Sequence, residues 1–145
     1  MTSGIPQVAT NLGTEFWIAF PPNLGGQVLQ IFISSGFSTS GTVTSQFPGV
    51  NQNFTVIPGI VTQVSVPSGI QLIPGIVENK GIHILSLNPI AVYGLNHRTA
   101  STDAYMSLPV SSLGTDYRIL TYETTNVNMG WLRTVCLHSL SMHRL

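Results

Sequence analysis

The sequence predicts an all-β domain, an antiparallel β-sandwich of jelly-roll-like type, and three observations predict it. Glycine (14 residues) and proline (9) punctuate the chain along its length. Between them lie short runs rich in Val, Ile, Thr, Phe and Tyr, residues that suit a pleated, half-buried surface. Turn signals recur at roughly 8 to 12 residues, and no window before residue 128 sustains the i, i+3, i+4, i+7 apolar spacing of a helix.

The first strand is residues 15–20 (EFWIAF), ended by Pro21-Pro22, which cannot continue a central ladder. Phe16 and Trp17 point to opposite faces there, and Trp17 is expected in the core rather than as a ligand platform. Residues 28–34 (VLQIFIS) read as a mostly buried strand, and residues 41–46 alternate Val43 with Thr42 and Thr44. Residues 53–57 (NFTVI) form the next. Residues 60–66 follow, with Ile60, Thr62, Val64 and Val66 on one face. In residues 81–87, Ile82, Ile84 and Ser86 share a face while His83, Leu85 and Leu87 share the other. Asn88-Pro89 is a turn signal, after which residues 90–95 (IAVYGL) start a new strand. Residues 101–108 place Ala104, Met106 and Leu108 together, and residues 117–123 (YRILTYE) alternate again.

Pro-Gly sits between apolar residues at 47–50, 57–60 and 73–76, with proline and glycine at the two central positions of a type II turn. The spacings of 10 and 16 are unequal, so this is recurring turn chemistry and not a solenoid period. Three segments result: an extended N-terminal piece (1–12), the β-sandwich domain (13–125) and an atypical C-terminal piece (126–145). The last loses the Gly/Pro punctuation and reads as a short helix, a strand, or a frayed or non-native tail.

Only 10 of 145 residues are Lys, Arg, Asp or Glu, or 7%, against about 25% in soluble domains. Five cations supply no basic stripe, which argues against nucleic-acid binding driven by counterion release. The formal net charge is zero, so copies lack the repulsion that keeps monomers apart, and a homo-oligomer or filament is expected. No apolar run reaches the roughly 18 residues of a membrane span. Residues 1–6 show no positive region leading into an apolar one, so no signal peptide is read. The single cysteine, Cys136, allows no intrachain disulfide and is expected to act as a small apolar residue.

The acids Glu15, Glu78, Asp103, Asp116 and Glu123 are scattered, and the histidines His83, His97, His138 and His143 lack zinc spacing. His83, between apolar neighbours, reads as a satisfied, part-buried side chain. Gly13 and Gly25-Gly26 do not lead a strand into a phosphate-cradling helix. Asn53-Phe54-Thr55 is a glycosylation sequon inside a predicted strand. No catalytic residue, metal site or cofactor is therefore expected. The polar stretch Asn96, His97, Arg98, together with Tyr105, is the candidate ligand site, for a glycan or a surface protein.

Several stretches together resemble a known family. They are residues 13–23 (GTEFWIAFPPN), 66–69 (VPSG), 77–84 (VENKGIHI), 89–96 (PIAVYGLN) and 101–117 (STDAYMSLPVSSLGTDY). A strand ending in Val-Tyr-Gly, then Asp-Ala, Leu-Pro and Leu-Gly-x-x-Tyr, resembles the N-terminal domain family of the IgG-Fc-binding protein, which also occurs in bacterial surface and secreted proteins. The resemblance spans residues 11–123. From Asn126 onward the sequence departs from the family, so the chain looks truncated beside it. The resemblance implies an extracellular β-rich module with adhesive, mucus-like or matrix roles and no catalytic residues. Fc binding is carried over to no residue.

The expected function is a non-enzymatic extracellular or cell-surface module for structure and cell adhesion. It self-associates into an oligomer or filament, with residues 1–12 as a candidate added strand at an open sheet edge. The other reading is a monomeric carbohydrate- or protein-binding module of a secreted or surface protein.

Overall fold

The computed structural model describes residues 10–23, 28–74, 76–99 and 101–114. Seven strands follow in order: β1 (Gly13–Ile18), β2 (Val28–Ser34), β3 (Thr39–Ser45), β4 (Asn51–Val56), β5 (Thr62–Val66), β6 (Ile82–Arg98) and β7 (Ser101–Ser107). All pairings are antiparallel. The fold is all-β, as the composition and turn spacing indicate. Among the described residues the helical pieces are two single 3-10 turns, Ser68–Ile70 and Val110–Ser112. Residues 117–123 and 126–145, with Cys136, lie outside the described residues, as does most of 1–12.

One strand organises the molecule. The 17-residue β6 pairs with four others. Its first half lies between β1 and β3, and its second half between β2 and β7. Two four-stranded layers result, β4-β3-β6-β1 and β5-β2-β6-β7, joined through β6 into a nearly closed barrel. The sequence expected a turn at Asn88-Pro89; the chain instead runs straight through it as one strand. Gly13 pairs with Ile90 while Glu15 pairs with Leu85, so β6 carries extra residues at a bulge where it changes layer. Pro89 falls in that bulge, where no ladder N–H is required. Side chains take over the hydrogen bonding: Asn88 N–H donates to Thr39 Oγ1 (3.0 Å), and Ser35 Oγ donates to the Pro89 carbonyl (2.7 Å).

The layers also meet at two seams. Between β4 and β5, Gln52 Nε2 donates to the Ser65 carbonyl (3.0 Å) and Thr62 Oγ1 to that of Thr55 (2.7 Å). Between β1 and β7, Ser107 Oγ donates to the Trp17 carbonyl (3.3 Å), and Phe16 bridges to Pro109. Side chains of the facing strand thereby occupy three edge carbonyls, those of Thr55, Ser65 and Trp17.

Alternation fills the barrel. Phe16, Ile18, Leu29, Ile31, Ile33, Val43, Phe54, Val56, Val64, Val66, Ile82, Ile84, Ile90 and Val92 form one buried cluster with Phe20, Val50 and Ile70. Strand β2 is buried on alternate residues only, because its other face is the outside of the barrel. Each layer holds a glycine beneath a cross-strand aromatic ring. A Cβ on Gly41 would lie 2.5 Å from the Phe54 ring and would collide with the Leu85 carbonyl oxygen. A Cβ on Gly94 would lie 2.5 Å from the Tyr105 ring. Glycine is needed at both because the ring takes the space of the missing side chain.

Two of the Pro-Gly turns form as the sequence indicates, with Gly49 at φ 85° and Gly59 at φ 78°, and Ile60 N–H donates to the Ile57 carbonyl (3.0 Å). At the third, Ile76 N–H donates to the Ile73 carbonyl (3.3 Å), and Gly75 lies outside the described residues. Three face assignments differ from the sequence reading. Ile60 is exposed in the turn before β5. Ala104, Met106 and Leu108 are exposed, because Tyr105 and Ser107 take the inner positions of β7. Trp17 lies outside the core, because Phe16, Ile18 and Phe20 already claim the inner face.

Candidate functional site

The four residues singled out in the sequence divide between the inside and the outside of the second layer. Asn96 is fully buried; its Nδ2 donates to the Pro21 carbonyl (3.1 Å) and its Oδ1 accepts from Asn23 Nδ2 (3.4 Å). It fastens the chain after β1 to the barrel. Tyr105 lies over Gly94 with its hydroxyl donating to the Ala19 carbonyl (2.5 Å) and its ring edge-on to Phe20. Burial pushes its hydroxyl well above the ordinary tyrosine pKa. His97 is exposed on the outer face, its Nδ1 2.9 Å from Thr102 Oγ1. Arg98 is half-buried, and its Nη1 is buried with no hydrogen-bond partner among the described residues. Alternation along β6 separates His97 from Asn96 and Arg98, so the four do not converge on one surface.

The outer face of the first layer holds a constellation that the sequence reading did not assemble. Trp17 on β1, His83 on β6 and Thr44 on β3 are register partners in one row. The Trp17 and His83 rings stack at 4.4 Å with an interplanar angle of 16°. His83 Nε2 lies 2.9 Å from Glu15 Oε1, two residues before Trp17 on the same face. Trp17 is 49% exposed, although its neighbour Phe16 is fully buried. Together with Ser45, Gln46, Asn79 and Gly81 these residues line a cleft of about 270 Å³.

The far wall of the cleft is held in place by its surroundings. Asn79 Nδ2 donates to Gln46 Oε1, and Ser45 Oγ donates to the Gly81 carbonyl (2.8 Å). The segment leading to Asn79 is latched by Lys80, whose Nζ lies 2.7 Å from Glu78 Oε1 and donates to the Gln71 carbonyl (2.9 Å). Glu78 Oε2 also accepts from Ile73 N–H (2.6 Å). The hydrogen bond from Lys80, then that from Ile73, holds the Glu78 carboxyl below the usual carboxylate range.

The signal for Trp17 was present in the sequence. In residues 15–20, Phe16, Ile18 and Phe20 fill one face, and Trp17 shares the other with Glu15. A carboxylate two residues away marks that face as wet, and it outweighs the general tendency of Trp to be buried. His83 matches its sequence reading: it is half-buried and hydrogen-bonded.

The outer face of the second layer is different. In register across β2, β6 and β7 lie Phe32, Tyr93 and Met106, then Gln30, Leu95 and Ala104. Tyr93 is 40% exposed, Met106 46% and Val28 49%. Among the described strand residues this face carries no Lys, Arg, Asp or Glu. Among the described residues no group of three or more His, Cys, Asp or Glu could hold a metal ion, and no helix is long and apolar enough to cross a membrane. The chain matches no family model, no curated protein and no solved structure.

Proposed function

We propose that this chain is a non-enzymatic, extracellular or cell-surface structural module that associates with copies of itself through the outer face of the second layer. One observation carries the reading: Val28, Tyr93 and Met106 stand exposed, with Phe32 and Leu95 half-buried between them, on a sheet face that has no Lys, Arg, Asp or Glu among the described strand residues, in a neutral chain. A contiguous exposed apolar face marks an interaction surface. A second copy suits it because an uncharged face is complementary to itself, which is what a two-fold contact requires. Two such sheets pack at about 10 Å with interdigitating side chains.

The extracellular reading rests on the neutral-polar composition and on the resemblance of residues 11–123 to the IgG-Fc-binding protein's N-terminal family. The stitched seams argue for association by faces rather than by strand addition at an edge. Sedimentation of wild type and of a Tyr93→Lys/Met106→Lys variant tests the idea. Concentration-dependent association is expected for wild type and lost in the variant. A wild type that stays monomeric at high concentration, or a variant that associates equally well, would overturn it.

A further inference from the structure

On the opposite side of the molecule, and independently of self-association, we propose that the Trp17 cleft is a binding site for a neutral saccharide, with Trp17 as its stacking platform. The cleft offers what a sugar ring needs. A pyranose has an apolar face of C–H bonds and a rim of hydroxyls. The C–H face suits the negative face of an indole, and the hydroxyls need amide and hydroxyl partners. Trp17 supplies half-exposed indole, while Thr44, Gln46 and Asn79 supply a hydroxyl and two amides on the facing walls.

The platform is pre-organised. Stacking on His83 and the Glu15–His83 contact restrict the ring before any ligand arrives, so little rotamer freedom remains to be lost on binding. Gly81 brings no side chain into the cleft, and Asn79 is held by its bond to Gln46. The ionisable groups around the cleft face one another. Glu15 faces His83, and the nearby cation Lys80 is engaged by Glu78 and the Gln71 carbonyl. At about 270 Å³ the cleft is below the roughly 300–1,000 Å³ of drug-sized sites, which suits one or two sugar rings with the rest of the chain in solvent.

The test is a nitrogen–proton NMR titration of the full chain with maltose, cellobiose, lactose and N,N′-diacetylchitobiose. N-acetyltryptophanamide serves as an aromatic peptide-like probe. A Trp131→Phe variant assigns the two indole signals. The Trp17 indole signal is expected to move with at least one sugar at millimolar concentration. Trp17→Ala is expected to weaken that binding at least about tenfold, and Trp17→Phe to retain part of it. Asn79→Ala weakens binding without touching the platform, which keeps the proposal testable if Trp17→Ala fails to fold. Three results would overturn it: no sugar moves the signal up to about 10 mM; the sugar shifts at Thr44 and Gln46 persist undiminished in Trp17→Ala; or only the aromatic probe binds.

Discussion

The two layers of the barrel share β6 and follow the same alternation, yet their outer faces differ. Across β1, β6, β3 and β4 the outward row reads Trp17, His83, Thr44 and Asn51; across β2, β6 and β7 it reads Phe32, Tyr93 and Met106. The first face carries Glu15 and neutral hydrogen-bonding groups around one indole, with Leu85 exposed in the neighbouring row. The second carries apolar groups with no charge among the described strand residues. Inside, the layers are alike, each with a buried aliphatic lining and a glycine under an aromatic ring. The inward half of each strand answers to packing, which is common to both layers. The outward half is free to differ, and it is there that the layers acquire separate surfaces.

The contrast between inside and outside is sharpest at two adjacent residues of β1. Phe16→Ala removes a fully buried ring and is expected to cost about 3–5 kcal/mol of stability by denaturant unfolding. Trp17→Ala removes the larger side chain, yet is expected to cost less than about 1.5 kcal/mol, since half of it is already in water. Equal losses would break the assignment of inner and outer faces.

The two covered glycines come next. Gly41→Ala sets a Cβ against the Leu85 backbone carbonyl as well as the Phe54 ring, whereas the three atoms nearest a Cβ at Gly94 all belong to the Tyr105 side chain. Overpacking of this kind costs about 1–3 kcal/mol, and Gly41→Ala is expected at the upper end or beyond because backbone cannot swing aside. A larger loss at Gly94 would show that the second layer is the more tightly built.

Tyr105→Phe is expected to cost about 1 kcal/mol through loss of the hydrogen bond to the Ala19 carbonyl. It also has a pH signature. The folded-state pKa of Tyr105 lies above its unfolded value of about 10. Stability from this residue is therefore complete below pH 10 and falls as pH rises, because the unfolded chain ionises while the folded one resists. Unfolding followed from pH 8 to 11 should show a smaller alkaline loss in Tyr105→Phe than in wild type.

The smallest effect belongs to the latch beside the cleft. The Glu78 carboxyl is held below its ordinary value, so its contribution is present at neutral pH and disappears as pH falls through the folded-state value. Glu78→Gln should lower the melting temperature slightly at pH 7, less so at high salt, with the difference from wild type closing on acidification. A difference that grows in acid would assign the latch to some other contact.

Much of the fold was legible in the residues. Alternation in 81–87 separated Ile82 and Ile84 from His83, because the period of a strand is two; burial of Ile82 and Ile84 then marks theirs as the inner face. The Pro-Gly pairs placed turns, because glycine adopts the positive φ found at Gly49 and Gly59 without steric cost. Less of the candidate site was legible. Trp17 and His83 are 66 residues apart in sequence and meet only through the β1–β6 register. Met106 alternates like a core residue, and nothing local reveals that Tyr105, anchored on Ala19, takes the inner position instead.

The amino-acid sequence by itself determined the all-β class, most strand positions, the Pro-Gly turns, and a composition in which neutral polar groups replace charges. Those properties are local: they follow from backbone preference, a period of two and the shortage of charge. Tertiary structure alone decided that Asn88-Pro89 continues a strand, and that β6 joins two layers. It also decided that one outer face gathers Glu15, Trp17, His83 and Thr44 while the other gathers Phe32, Tyr93 and Met106. Those outcomes depend on which strand lies beside which, and register is set by burying every inner face at once.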